Sequence, residues 1–142
     1  MKIGLDTSII VNLIRRGTPE HDASWAWYLP RKETGEEFII TDHALLEAFS
    51  VLTRIPPPYQ LAPKAAELVL QNNFGTATIA PIHPGFSWQV IPHTISRGFW
   101  GGRIYDAAIA LATYEAGARL LLTWNVKHFI SVAPVGLEIR QP

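Results

Sequence analysis

Short apolar runs alternate with helix-like segments along the chain, and this alternation constrains the fold more than any other feature. The runs Lys2 to Leu5, Glu37 to Thr41 and Arg119 to Thr123 are typical of buried strands. Because helix-like segments lie between them, the strands are expected to run parallel, with helices on both faces of the sheet. The pattern predicts an α/β fold, a three-layer α/β/α sandwich around a central, mainly parallel sheet.

The intervening segments show helical spacing of apolar residues. Helices are predicted over Ile9 to Ile14, Pro19 to about Leu29, Asp42 to about Ile55, Lys64 to Asn73 and Ile104 to Ala116. Asp42 is expected to cap the third helix, and Pro30 to end the second. Weaker strands are predicted over Thr76 to Ile79 and Leu137 to Arg140. Between Pro81 and Gly102 the only prediction is a short helix that opens at Ser87 and breaks near Pro92.

Length and composition indicate one packed domain over residues 1–142, without repeats or linkers. Apolar residues make up 48% of the chain and charged residues 17%, the profile of a globular protein. The chain has no cysteine, so a metal would be bound by oxygen or imidazole, and a reducing compartment is favoured. No signal peptide or membrane-spanning run is recognisable, and a cytoplasmic location without membrane contact is expected.

Polar residues that follow the strands are candidates for a functional site, because ligands of open parallel sheets bind beyond the carboxyl ends of the strands. Asp6 and Asn125 follow the first and the last of the clear strands. Glu47 lies at the edge of an apolar helix stripe, and Asp106 lies in the first turn of an alanine-rich helix. Each has an ordinary explanation as a helix cap, a dipole partner, a solvated residue or a turn residue.

Taken together, Asp6, Glu47 and Asp106 point to a metal site. Three carboxylates at a half-buried rim would repel one another unless a cation neutralised them. Oxygen ligands select Mg²⁺ or Mn²⁺. Such an ion suits phosphodiester hydrolysis, since it can bind the phosphate and lower the pKa of a bound water.

Three stretches resemble the PIN-domain family and, within it, the VapC-like toxins of toxin–antitoxin pairs. They are LDTSIIVNLI, TDHALLEAFSVLTRIP and IYDAAIALATYEAGARLLLTWNVKHF. The resemblance covers essentially the whole chain and is loosest between Pro56 and Gly102. It implies a metal-dependent endoribonuclease that leaves 5′-phosphate and 3′-hydroxyl ends, with Asp6, Glu47 and Asp106 as metal ligands.

The same resemblance places the family's fourth position, often an aspartate, on Asn125. A neutral amide there could ligate through its carbonyl oxygen or orient a metal-bound water. Thr7, Ser8 and Thr123 would be donors that orient the carboxylates. The implied partners are an RNA substrate, a small antitoxin whose tail covers the acidic site, and a second copy in a homodimer.

The loop from Arg97 to Arg103 precedes Asp106 and contains two guanidiniums, two aromatic rings and three glycines. Arg97, Trp100 and Arg103 could bind phosphate and stack an unpaired base, together with Lys127. Equally, Phe99 and Trp100 could fill the core beneath a turn. His128 is assigned no catalytic role. Trp25, Trp27 and Tyr28 could form a contact surface, although aromatic residues at this spacing are more often core.

Three other functions compete with the nuclease. An aspartyl-nucleophile phosphatase also opens with an aspartate after its first strand, but it needs a second aspartate two residues later, where this chain has Ser8. A dinucleotide-binding domain lacks its glycine-rich fingerprint here. A non-catalytic PIN-like scaffold that binds RNA or protein would have no reason to keep three costly carboxylates. Zero net charge also argues against a dedicated duplex-binding protein.

Overall fold

The structure, a computed structural model, describes residues 1–142 and contains five strands and seven helices. The strands are β1 (Lys2–Leu5), β2 (Glu37–Thr41), β3 (Thr78–Ala80), β4 (Leu120–Leu122) and β5 (Glu138–Arg140). The helices are α1 (Thr7–Ile14), α2 (Pro19–Glu33), α3 (Asp42–Arg54), α4 (Pro63–Phe74), α5 (Phe86–Ser96), α6 (Arg103–Glu115) and α7 (Val126–Ile130). No helix is both long enough and apolar enough to cross a membrane.

The five strands form one sheet in the order β3-β2-β1-β4-β5, and every neighbouring pair is parallel. The central strand β1 places Gly4 beside Ile39 of β2 and Leu121 of β4. Parallel neighbours need crossover connections, and helices supply them between all the strands. The predicted α/β/α sandwich is confirmed, and the weaker strand predicted over Leu137 to Arg140 forms β5 at one edge of the sheet.

The strand-to-helix turn after β2 differs from its prediction. The Thr41 hydroxyl accepts a hydrogen bond from the Ala44 N–H at 3.1 Å, so Thr41 rather than Asp42 is the N-cap of α3. Asp42 is the first helical residue, and its Oδ2 accepts from the Ile82 N–H at 3.2 Å. The carboxylate therefore holds the segment after β3 against α3 instead of capping the helix.

Two prolines expected to end or break helices lie inside them. Pro30 sits in α2, which continues to Glu33, and Pro92 sits in α5, which continues to Ser96. A proline inside a helix costs about 3 kcal/mol. In α5 the residues at every fourth position, Phe86, Val90 and Thr94, are buried. Tertiary packing of this stripe offsets the lost hydrogen bond, which sequence periodicity alone did not predict.

The hydrophobic core lies on both faces of the sheet. The larger cluster joins the strands to α1 to α4, and a smaller one packs α5 against α6 and Val132. Within α2, Tyr28 is buried against Phe38, while Trp25 and Trp27 are partly buried on the same cluster. These aromatic residues therefore belong to the core, and the alternative of an exposed contact surface is wrong for Tyr28.

Candidate acidic active site

Asp6 follows β1 directly and is 2% exposed. Its Oδ1 accepts from the Thr7 N–H at 2.6 Å, and its Oδ2 accepts from the hydroxyls of Ser8 at 2.8 Å and Thr123 at 2.7 Å. Burial raises the pKa of Asp6, and these hydrogen bonds oppose that rise. The carboxylate is thus held in one orientation at the carboxyl end of the central strand.

Ser8 and Thr123 link Asp6 to the segment that follows β4. The Ser8 hydroxyl accepts from the Trp124 N–H at 2.9 Å, and the Thr123 hydroxyl accepts from the Asn125 N–H at 2.9 Å. Each hydroxyl therefore donates its proton to the Asp6 carboxylate and accepts a hydrogen bond from a backbone N–H. The ends of β1 and β4 are joined through side chains as well as through the sheet.

Asp106 lies in the first turn of α6 with its side chain 25% exposed. Its Oδ2 is 3.7 Å from Arg103 Nε and 3.9 Å from His128 Nδ1, both longer than a hydrogen bond. Burial raises the pKa of Asp106, followed by the negative charges of Asp6 and, more weakly, Glu47. Asp106 therefore faces the other two carboxylates across the rim.

Glu47 is held by its neighbour one turn earlier in α3. Its Oε2 is 3.2 Å from His43 Nε2, and this contact is the main cause that lowers the pKa of Glu47. The Thr7 hydroxyl, which donates to the Ala44 carbonyl at a long 3.4 Å, also lies near enough to Glu47 to lower its pKa. The His43 ring in turn stacks on Tyr105 of α6, with ring centres 5.3 Å apart.

His43 and Tyr105 were missed in the sequence. The signal available for His43 was its spacing of four residues from Glu47, which places two side chains on one helix face. Tyr105 had no comparable signal beyond preceding Asp106. His128, which was assigned no role, lies beside Asp106 with a half-exposed side chain.

Asp6, Glu47 and Asp106 lie at the same edge of the sheet but are not close enough together to form a complete metal-binding site. No three His, Cys, Asp or Glu side chains in the structure are grouped closely enough to hold a metal ion. The donor chemistry nevertheless fits a hard cation. Asp6 Oδ1 accepts a single hydrogen bond, which leaves it a lone pair, and neither Arg103 nor His128 lies within hydrogen-bond distance of Asp106. A divalent ion would relieve the repulsion between these neighbouring carboxylates.

Asn125 lies at the start of α7 and is exposed. Its backbone N–H reaches the Thr123 hydroxyl, but its side chain forms no capping hydrogen bond. The amide is therefore free to contact a ligand from the rim next to Asp6. Lys127, two residues later in α7, is also exposed.

The loop before α6 divides into a packed part and an exposed part. Phe99 packs partly buried against the smaller core cluster, with the Arg103 guanidinium 4.9 Å from its ring centre. Arg103 also donates to the Ser131 hydroxyl at 2.7 Å. Trp100 is 82% exposed, and Arg97 ends α5 half-buried. The core interpretation is confirmed for Phe99 and is wrong for Trp100.

A parallel α/β/α sandwich with acidic side chains at the carboxyl ends of its central strands has its candidate site where open parallel sheets bind ligands. A sequence model of the PIN domain matches residues 3–133. The chain therefore belongs to the PIN-domain family, and the resemblance seen in the sequence is confirmed.

Individual relatives are consistent with this family. The chain is 33% identical to Ribonuclease VapC27 of Mycobacterium tuberculosis over 119 residues, which cover 83% of this chain and 81% of that protein. It is 35% identical to Ribonuclease VapC40 of the same organism over 82 residues, 56% of this chain and 58% of that protein.

Solved structures share the fold. VapC20 of Mycobacterium tuberculosis, described as a sarcin-ricin loop cleaving toxin, superposes with a TM-score of 0.68 at 14% identity over 93% of this chain and 96% of that one. VapBC2 from Rickettsia felis, bound to a DNA fragment from its promoter, gives a TM-score of 0.66 at 18% identity over 100% and 99%. At these identities the likeness concerns the fold alone.

Proposed function

We propose that this chain is an endoribonuclease and the toxin of a toxin–antitoxin pair, dependent on Mg²⁺ or Mn²⁺. The observation that carries the proposal is the position of Asp106 beside Asp6 and Glu47, carboxylates from distant parts of the sequence whose negative charges add to burial in raising the pKa of Asp106. A protein that did not bind a cation there would gain stability by replacing one of them. The ribonuclease names of the VapC27 and VapC40 relatives support the same activity.

The three carboxylates have different roles in this proposal. Asp6 is the fixed ligand, because hydrogen bonds from both hydroxyls and a backbone N–H hold it. Asp106 is the adjustable ligand, since no close hydrogen bond restrains it. Glu47 completes the set, steadied by His43. A bound Mg²⁺ or Mn²⁺ would stabilise charge on the phosphate and lower the pKa of a water for attack.

In this proposal the protein binds RNA through few phosphate and base contacts. The chain has no net charge, so affinity from many phosphate contacts is not available. Arg97, Arg103 and Lys127 are the cations proposed to bind the backbone, and Trp100 is exposed for stacking on a base. Asn125 would orient a water or the ion through its amide. This arrangement favours a single-stranded region of RNA over a duplex.

The assembly and location are part of the same proposal. Structural neighbours include toxin–antitoxin complexes of the VapBC type, which supports a small antitoxin as partner, whereas the homodimer is proposed from the family resemblance alone. An RNA substrate and the lack of cysteine favour the cytoplasm. Residues 1–142 are proposed to act as one domain.

Cleavage of a mixed RNA pool with mapped ends tests the activity. Cleavage is expected with Mg²⁺ or Mn²⁺, not with chelator, and should leave 5′-phosphate and 3′-hydroxyl ends. Asp106→Asn should reduce the rate by at least about a hundredfold, because even residues that only orient a metal ligand cost up to that factor. Asp22→Asn, at an exposed acid of α2, is the matched control. RNA binding without cleavage under every metal condition would support the scaffold alternative instead.

A further inference from the structure

A cavity of about 210 Å³ lies beside the acidic rim, between α5 and α6. The last residues of β2 and β3, Thr41 and Ala80, form one end of it. Most of its wall is apolar, contributed chiefly by Phe86, Val90, Ile91, Ile104 and Ala108. A cavity smaller than a drug-sized site, with apolar walls and few polar groups, suits a single flat ring system.

Two residues belong to both the cavity and the acidic rim. His43 lines the cavity and its Nε2 contacts Glu47 at 3.2 Å. Tyr105 lines the cavity and immediately precedes Asp106 in α6. A ligand in the cavity would therefore lie next to the carboxylates rather than at a remote surface.

The same two residues offer an aromatic surface. The rings of His43 and Tyr105 are nearly parallel, with an angle of 3° between their planes. Tyr105 is 57% exposed although one face of its ring covers His43. A further ring can stack on such a platform, and stacking on aromatic side chains is how proteins hold unpaired bases.

We propose that this cavity binds one unpaired nucleobase of the RNA, the base next to the phosphate that the acidic rim holds. The inference rests on the proposed nuclease function and adds the form of its substrate. A base in a continuous duplex is stacked on both sides and could not enter. The enzyme would then cut at single-stranded positions or at bases that leave their stack.

A competing occupant is a second copy of the chain. One face of α5 presents exposed apolar side chains, namely Trp88, Ile91 and Ile95, and Ile91 also lines the cavity. The cavity is concave and small, whereas a dimer contact needs an extended surface. We therefore favour the base, and oligomeric state is measured alongside binding.

Isoleucine methyl NMR on the wild-type protein with chelator tests the proposal. Ile82, Ile91 and Ile104 line the cavity, while Ile3 and Ile9 are fully buried in the other core and serve as internal references. The probes are adenosine, guanosine, cytidine and uridine, with ribose as the ligand that lacks a base. Nucleosides carry no phosphate and need neither metal nor cleavage, so this result is independent of the nuclease test.

At least one nucleoside is expected to shift the three cavity methyls saturably, and ribose is not. Ala108→Leu, which fills the cavity, should weaken that binding about tenfold or more. Ala65→Leu on the exposed face of α4 is the matched control. If Ala108→Leu fails to fold, Ser87→Phe at the exposed rim of the cavity replaces it.

Three results would overturn the inference: no nucleoside shifts the cavity methyls, ribose shifts them equally, or the filled cavity binds as before. A fourth is that Ala108→Leu changes the dimer content measured by sedimentation while nucleoside binding is unaltered, which would assign the cavity to the second copy.

Discussion

The Thr123 hydroxyl donates a hydrogen bond to Asp6 Oδ2 at 2.7 Å and so joins two residues separated by 117 positions in the sequence. This contact fixes the buried carboxylate relative to β4 and, through the Asn125 N–H, to the segment that carries Asn125 and Lys127. One threonine thereby sets the geometry between the proposed fixed ligand and the rim that faces the substrate.

Thr123→Val is therefore expected to lower the free energy of unfolding by about 1 to 3 kcal/mol, because a buried carboxylate loses a donor and a backbone N–H loses its acceptor. Cleavage should fall as well, since Asp6 would lose one of the hydrogen bonds that orient it. Urea denaturation and RNA cleavage measure the two effects. Thr53→Val, whose hydroxyl bonds only to carbonyls of its own helix, is the matched control and should change both little. Equal effects of the two substitutions would argue against a special role of Thr123.

Ionisation of Asp6 and Asp106 should reduce the stability of the metal-free protein as pH rises from about 4 towards neutrality. The pKa values of Asp6 and Asp106 are raised in the folded chain, so the unfolded chain releases these protons first, and stability is lost as pH rises through the folded pKa values. Asp106→Asn should flatten this dependence. Urea denaturation at several pH values in chelator gives the measurement. A wild type that became more stable than Asp106→Asn as pH rose would contradict the account.

The His43 and Glu47 pair predicts a second pH effect. The pKa of His43 is raised by Glu47, and the pKa of Glu47 is lowered by His43. The pair therefore stabilises the fold most between about pH 4.5 and 6.5, and its contribution declines as pH rises through the pKa of the folded His43. His43→Gln should cost more stability at pH 5.5 than at pH 8.5. A cost that was constant over this range would show that packing on Tyr105, rather than charge, is what His43 contributes.

Gly4 is expected to tolerate no larger residue. A Cβ at this position would collide with the Thr113 side chain, which α6 packs onto the central strand. Gly4→Ala should cost about 1 to 3 kcal/mol through overpacking. Thr113→Ala should recover much of that loss, since it removes the Cγ2 methyl that the new Cβ would meet, and the Thr113 hydroxyl has no hydrogen-bond partner to lose. Gly102→Ala, where a Cβ meets open space, is the control. An additive double substitution would refute the proposed contact.

Trp100→Ala should raise KM for RNA about tenfold while changing kcat and stability little, because Trp100 is 82% exposed and available to stack on a base. Trp88→Ala removes a comparably exposed indole from α5 and serves as the control. Steady-state cleavage of a short RNA separates KM from kcat. The same KM for Trp100→Ala and wild type would remove Trp100 from the substrate contacts.

The sheet and the position of its acidic rim could be predicted from the sequence because the information is local. Each strand is a short apolar run, and parallel strands place the residues that follow them on one edge. Asp6 and Thr123 show this. Each directly follows a strand of three or four residues, and the Thr123 hydroxyl donates a hydrogen bond to the Asp6 carboxylate.

Features that depend on tertiary contacts could not be predicted. Pro92 remains inside a helix because Phe86 and Val90 pack on α6, and no periodicity rule includes that energy. The His43 and Tyr105 stack joins two helices more than sixty residues apart. Helix α7 after Asn125 has five residues, too few to show the apolar periodicity that identifies a helix. The sequence likewise could not show that Trp100 is exposed while its neighbour Phe99 packs against the core.

The binding of Mn²⁺ measured by calorimetry tests the central claim most directly, namely that Asp6, Glu47 and Asp106 together hold a divalent ion. The wild type is expected to bind Mn²⁺, whereas Asp6→Asn, Glu47→Gln and Asp106→Asn should each bind at least about tenfold more weakly. Asp22→Asn should bind as the wild type does. Wild-type affinity in the three carboxylate variants, or no binding by the wild type, would contradict the account.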